Sequence, residues 1–103
     1  MGQHLVKYYQ DGTNAPVPTV IRNSAGLTIT YTRASEGEYY GTISPPLPAG
    51  SYLLRHNVDP YLEKTVDASV SDGVTLGIRT FENGIMKDDL FPEIDFILEI
   101  VTP

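Results

Sequence analysis

The fold of this chain is decided by residues 37–43, Gly-Glu-Tyr-Tyr-Gly-Thr-Ile, and by residues 47–54, Leu-Pro-Ala-Gly-Ser-Tyr-Leu-Leu. Each segment places a tyrosine, Tyr39 or Tyr52, just after a glycine and at the start of an alternating run. Alternation of side chains between two faces is typical of strands that turn one face to a core. The two segments therefore predict two neighbouring strands of a small β-sandwich.

The same period of two recurs along most of the chain. Apolar residues alternate with threonines over 27–32, and similar alternation covers residues 65–71, 74–79 and 94–101. Turn dipeptides separate these runs, and Asn83-Gly84 predicts a tight hairpin because both residues tolerate positive φ. About eight strands at this spacing predict an all-β fold. We expect a single domain over residues 1–103, an antiparallel β-sandwich of seven to eight strands with a Greek-key-like order.

Strand periodicity also predicts which side chains are buried and what one glycine does. Gly77 interrupts the alternating run 74–79, so it predicts a bulge or a close approach of backbone. The apolar residues at period-two positions form the expected core: Leu27, Ile29, Tyr39, Tyr52, Leu54, Leu76, Ile78, Phe96, Leu98 and Ile100.

Composition narrows the classes of partner. The chain of 103 residues has no cysteine and a formal net charge of −6. Negative charge repels phosphate backbones and anionic lipid, so no nucleic-acid partner is expected. No segment approaches the ~20 apolar residues that a membrane-spanning helix needs. The N-terminal residues lack the pattern of a signal peptide, so a cytoplasmic location is expected unless the chain is part of a larger particle.

No motif in the chain points to catalysis, a cofactor or a metal. The densest charge is the acidic cluster Asp88, Asp89, Glu93 and Asp95, whose spacing is not that of a calcium loop. We interpret it as a solvated loop before the last strand. The two histidines, His4 and His56, have no ligand at close spacing, and no Gly-x-Ser-x-Gly elbow is present. The chain is therefore expected not to be an enzyme.

Exposed aromatic and apolar residues indicate an interaction surface. Adjacent tyrosines on a strand point to opposite faces, so one member of Tyr8-Tyr9 and one of Tyr39-Tyr40 should face solvent or a partner. The unprotected edges of a sandwich also favour pairing with another chain. A homo-oligomer is expected, and the possible interface residues are Tyr8, Tyr40, Ile97 and Val101. The tyrosines also allow a surface that stacks against a carbohydrate, which is the less favoured alternative.

Three segments and one glycine carry a resemblance to known proteins: residues 15–23, Gly26, residues 31–33 and residues 37–43. They are similar to those of small uncharacterised β-rich bacterial proteins associated with phage and prophage gene clusters. Many of these end in an apolar-Glu-Ile-Arg-Val-Tyr strand, which here reads Leu98-Glu99-Ile100-Val101-Thr102-Pro103. The Gly-x-Tyr and Leu-x-x-Gly-x-Tyr pattern also resembles immunoglobulin-like and prealbumin-like sandwich modules.

The resemblance implies a non-catalytic structural or protein-interaction module, such as a virion or prophage component. The alternative is a β-sandwich module that binds carbohydrate or another small ligand, and an enzyme comes third. Genomic neighbourhood separates the first from the others, and a glycan array tests the second.

Overall fold

A computed structural model describes residues 2–58, 64–88, 90 and 95–103. The regular elements in these residues are all strands, which confirms the all-β prediction. The described residues contain nine strands rather than seven to eight, and the shortest of them is the two-residue β8. Their bounds are β1 Gly2–Tyr9, β2 Val17–Asn23, β3 Thr28–Ser35, β4 Glu38–Ser44, β5 Tyr52–Val58, β6 Lys64–Ser71, β7 Thr75–Glu82, β8 Ile85–Met86 and β9 Asp95–Thr102. No helix in this described part of the chain is long and apolar enough to span a membrane.

The strands form two antiparallel sheets, which we name sheet A and sheet B. Sheet A has the order β2-β1-β9-β5, and sheet B has the order β3-β4-β7-β6 with β8 added to β7. The pairs β1–β9 and β4–β7 join strands that are far apart in the chain. The segments 37–43 and 47–54 were predicted to be neighbouring strands, and this is wrong. They contribute to β4 and β5, which belong to different sheets.

The hairpin between β7 and β8 is the one that the sequence predicts. Asn83 has a φ of 53° and Gly84 a φ of 81°, and strand pairing resumes on either side of these two residues. Two consecutive positive φ angles are the signature of a tight two-residue hairpin turn. Asn83-Gly84 is therefore sufficient to place this turn from the sequence alone.

Seven of the ten predicted core residues are buried and Ile29 is partly buried, but Tyr52 and Leu54 are not in the core. Tyr52 is 52% exposed and Leu54 is 41% exposed. The reason is the pairing of β5 with β9, which sets Leu53 opposite the buried Ile100. Paired residues share a face, so Leu53 packs on the core and its two neighbours point outward.

Gly41 and Gly77, which both lie within strands of sheet B, differ in how closely other residues approach them. A Cβ at Gly41 would lie 2.7 Å from Cγ2 of Ile29, so this is where side chains approach the backbone closely. At Gly77 the register with both neighbouring strands is continuous, and a Cβ would find no atom nearer than 3.8 Å. The prediction of a bulge or close approach at Gly77 is therefore wrong.

Candidate interaction surface

The outer surfaces of the two sheets differ in chemistry. Sheet B presents polar side chains from all of its long strands, among them the exposed threonines Thr28, Thr30 and Thr32 of β3. Sheet A presents large apolar side chains on the side that faces away from the core. An exposed apolar patch is the usual mark of a contact surface, whereas isolated apolar residues are not. The outer surface of sheet A is therefore the candidate site.

We call this surface the sheet A face, and strand register defines it. Reading across β2, β1, β9 and β5, one row is Arg22, Leu5, Glu99 and Leu54. The flanking rows bring Lys7 beside Ile97 and His56, and Gln3 beside Val101 and Tyr52. An irregularity in the β1–β2 register accommodates Ile21, which is also exposed. The apolar members of the face are Leu5, Tyr9, Val17, Ile21, Tyr52, Leu54, Ile97 and Val101.

The polar groups at the middle of the sheet A face bond to one another. The Gln3 amide donates to Oε2 of Glu99 over 2.8 Å, and Nε2 of His56 lies 3.2 Å from Oε1 of the same carboxylate. Arg22 Nη1 donates in turn to Oε1 of Gln3 over 3.0 Å. Covering a polar group that already has hydrogen-bond partners costs much less than covering one without them. A partner can therefore cover the centre of this face without supplying matching polar groups.

The four predicted interface residues have different positions. Tyr40 is exposed on the outer surface of sheet B, and Ile97 is half-buried in the sheet A face. Val101 lies in the sheet A face but is only 4% exposed, so its own chain covers it. Val101 therefore contributes little of the surface that a partner could contact.

The expectation that Tyr8 belongs to an interface is wrong. Tyr8 is 5% exposed, and its hydroxyl lies 2.6 Å from that of Tyr31. Its ring stacks on Phe96, with 6.2 Å between the centroids. The alternation of β1 turns Tyr8 inward and Tyr9 outward, so one tyrosine of this pair does face solvent as predicted.

Asp88 is not a solvated loop residue, which corrects the interpretation of the acidic cluster. It is 8% exposed, and its Oδ2 accepts from Nη2 of Arg33 over 2.6 Å and from Nε over 3.0 Å. Its Oδ1 accepts from the Gly37 N–H over 3.0 Å and from the Tyr39 hydroxyl over 2.7 Å. Asp89 and Glu93 lie outside the described residues, as does the side chain of Asp95.

The environment of Asp88 fixes its charge. Burial alone would raise its pKa, but hydrogen bonds from Arg33, Gly37, Tyr39 and Gln10 outweigh burial and lower the pKa to about 2. Burial is also the largest influence on Tyr39 and raises its pKa to about 12. Asp88 is thus an ionised carboxylate whose two oxygens are both engaged by the chain. This arrangement joins strands and leaves no lone pair directed at a substrate.

The two histidines lie on opposite sides of sheet A. His4 is buried on the inner side of sheet A beside Asn23, whereas His56 lies on the outer side. Across residues 2–58, 64–88, 90 and 95–103, no three His, Asp or Glu residues are grouped so that they could hold a metal ion. Comparison of the chain with family models, with curated proteins and with solved structures finds no match.

Proposed function

We propose that this protein is a non-catalytic interaction module that associates with a second copy of itself through the sheet A face. The observation that carries the proposal is the set of exposed apolar side chains on β1, β2 and β5 of one sheet, together with the half-buried Ile97 of β9, around a carboxylate whose hydrogen-bond partners are already in place. Burial of apolar surface is the main source of free energy for association. Covering a face of this kind with a partner therefore contributes favourable free energy to association.

The small net charge of the sheet A face is compatible with a contact between two copies. A twofold contact uses the same patch on both subunits, so the patch has to be compatible with itself. Among the described side chains, Lys7 and Arg22 are cationic and Glu99 is anionic, which gives +2 − 1 = +1 with His56 neutral. The whole chain carries −6, so other surfaces of two copies repel each other. The sheet A face is where two copies can meet with little repulsion.

The dimensions of the sheet A face also fit a contact with a second copy of the chain. Four strands about 4.8 Å apart, with up to eight residues at about 3.4 Å each, give roughly 19 by 27 Å, or about 500 Å² in projection. Side chains that stand on the face raise its accessible area above that projection. A standard interface buries about 800 Å² per partner. One whole sheet face is therefore of the size that a specific contact needs.

Thiol labelling tests which face is covered, because the chain has no cysteine of its own. Leu54→Cys places a thiol on the sheet A face, and Thr30→Cys places one on the outer surface of sheet B as the matched control. Labelling at position 54 should slow as protein concentration rises, because association covers that thiol. Labelling at position 30 should stay constant. A labelling rate at position 54 that stays constant over the whole concentration range, as at position 30, would disprove the proposed contact.

The biological setting that we propose is a structural component of a phage or prophage particle, in the virion or in the cytoplasm before assembly. The resemblance described above supports it, and capsid or tail genes next to the coding sequence would support it further. The two-sheet antiparallel architecture supports a likeness to immunoglobulin-like modules. Architecture by itself assigns no function, so the proposal depends on the sheet A face.

A further inference from the structure

The outer surface of sheet B contains a hollow in the middle of its strands, on the other side of the sandwich from the proposed contact. Register places Tyr40, Gly77 and Ser69 in one row across β4, β7 and β6. The next row is Glu38, Arg79 and Asp67. Because Gly77 has no side chain, these neighbours surround a hollow of about 200 Å³ that is open to solvent.

The fold does not require glycine at position 77. Its φ is outside the left-handed region, the strand register is regular on both sides, and a Cβ would meet Ser69 Oγ and Tyr40 Cε1 only at 3.8 Å. Glycine in the interior of a strand loses more conformational entropy on folding than other residues and packs no side chain. Neither the backbone conformation at position 77 nor the described residues around it require a glycine. What the missing side chain does provide is the space of the hollow.

The groups around the hollow match the surface of a sugar ring. Tyr40 presents an exposed aromatic ring beside the glycine, and a ring of this kind packs against the apolar C–H face of a sugar. Arg79 Nε donates to Oε2 of Glu38 over 3.4 Å, so a carboxylate and a guanidinium lie side by side at the rim. Such charged groups make the strongest hydrogen bonds to neighbouring hydroxyls.

The charges at the rim select an uncharged ligand. Glu38 and Asp67 are anionic and Arg79 is cationic, and Arg55 reaches Asp67 from β5 in the other sheet. Two carboxylates and two guanidinium groups leave no net formal charge at the rim. An acidic ligand would therefore have no unbalanced cation to pair with. A volume of about 200 Å³ also lies below the roughly 300 Å³ at which drug-sized pockets begin, so the hollow takes a small group.

We propose that this hollow binds one ring of a neutral saccharide, which stacks on Tyr40 above Gly77 and hydrogen-bonds to Glu38, Asp67 and Arg79. This binding site is independent of the contact between copies, since the two surfaces belong to different sheets. A module with both surfaces would bind a glycan through sheet B and a second copy of itself through sheet A.

The test is an NMR titration of the full chain with the methyl glycosides of glucose, galactose, mannose and N-acetylglucosamine, with glucuronic acid as the charged comparison. At least one neutral glycoside should shift amide signals confined to residues 38–40, 67–69 and 77–79. Glucuronic acid should bind more weakly than its neutral counterpart. The absence of shifts with every neutral glycoside, or shifts centred on sheet A, would overturn the proposal.

Variants at the hollow make the test specific. Gly77→Val fills the hollow with a side chain that strands favour, so the variant should fold and should bind at least about tenfold more weakly. Tyr40→Ala should weaken binding by about tenfold, whereas Tyr40→Phe should keep most of it because the ring remains. Tyr9→Ala removes an exposed tyrosine of the sheet A face and should leave binding unchanged. Unaltered affinity in a folded Gly77→Val variant would refute the site.

Discussion

Arg33 and Asp88 are separated by 55 residues in the chain and form a salt bridge in which Nη2 lies 2.6 Å from Oδ2. The pair links β3, an edge strand of sheet B, to the segment that follows β8. The same carboxylate accepts from Gly37 in the turn between β3 and β4 and from Tyr39 in β4. Asp88 thus connects β3, β4, the turn between them and the segment after β8 at one end of sheet B.

Stability should fall in acid as Asp88 takes up a proton. The pKa of Asp88 is about 2 in the folded chain, compared with an ordinary value of 3.8. The contribution of ionised Asp88 to the free energy of unfolding is therefore complete above about pH 4 and is lost as the pH falls towards 2. The shift corresponds to roughly 2 kcal/mol. Asp88→Asn should therefore lower the free energy of unfolding at neutral pH by about that amount and flatten its dependence on pH below 4.

Chemical denaturation at a series of pH values measures this effect. Asp67→Asn is the matched control, because Asp67 pairs with Arg55 at an exposed position and such pairs contribute at most about 1 kcal/mol. If the two variants lost the same stability at neutral pH, the role assigned to Asp88 would be wrong.

Gly37→Ala should be among the most damaging glycine substitutions. Gly37 has a φ of +71°, and a Cβ there would lie 2.6 Å from the Lys87 nitrogen and 2.7 Å from the Thr80 carbonyl oxygen. Left-handed backbone alone costs a non-glycine residue about 1–2 kcal/mol, and the clash with backbone atoms adds to that. Gly84→Ala separates the two effects, since φ is +81° but no atom lies within 4 Å. Thermal melts should rank Gly37→Ala well below Gly84→Ala, and the reverse order would contradict the structure.

Phe96→Ala should cost roughly 3–5 kcal/mol of stability, the usual range for removing a fully buried aromatic ring. The ring of Tyr8 would also lose its stacked neighbour. Ile85→Ala serves as the comparison, because Ile85 is exposed in the short β8 and its truncation should change stability by no more than about 0.5 kcal/mol. Urea unfolding of both variants measures the difference. A small loss for Phe96→Ala would place the centre of the core elsewhere.

Thermal melting in calcium and in EDTA should give the same midpoint. A ligand that binds the native state raises the midpoint with concentration. The acidic residues near the last strand lack the spacing of a calcium loop, and both oxygens of Asp88 are occupied by the chain. A rise of several degrees with calcium would mean that these carboxylates do bind a cation.

The sequence predicts those features of the fold that depend on local patterns. Asn83-Gly84 places a hairpin, and clean alternation identifies Leu76 and Ile78 as core residues. Which residues of β5 face the core is not predictable in this way, because Tyr52, Leu53 and Leu54 are three apolar residues in a row. Pairing with β9 decides that Leu53 faces inward, and this information is not local.

The candidate surface was predictable only in outline. Ile97 is one of the interface residues that the sequence predicts, but the sequence does not show which strands lie beside it. Tyr8 and Tyr9 have the same side chain, so composition could not say which of them is buried. The Arg33–Asp88 pair has no signal at all in the sequence, since its partners are brought together by strand order across the whole domain.

Light scattering on the parent chain and on Ile97→Lys tests self-association most directly. The new lysine would lie beside Lys7 in a flanking row of the sheet A face, so a second copy would have to cover an additional, like-charged group there at a large desolvation cost. Leu54→Lys is a second variant, whose lysine can pair with the opposing Glu99, and Thr30→Lys on sheet B is the control. The parent and Thr30→Lys should form a species larger than a monomer, and both sheet A variants should be folded monomers. A parent that stays monomeric at high micromolar concentration, or sheet A variants that keep its larger size, would contradict the proposed contact.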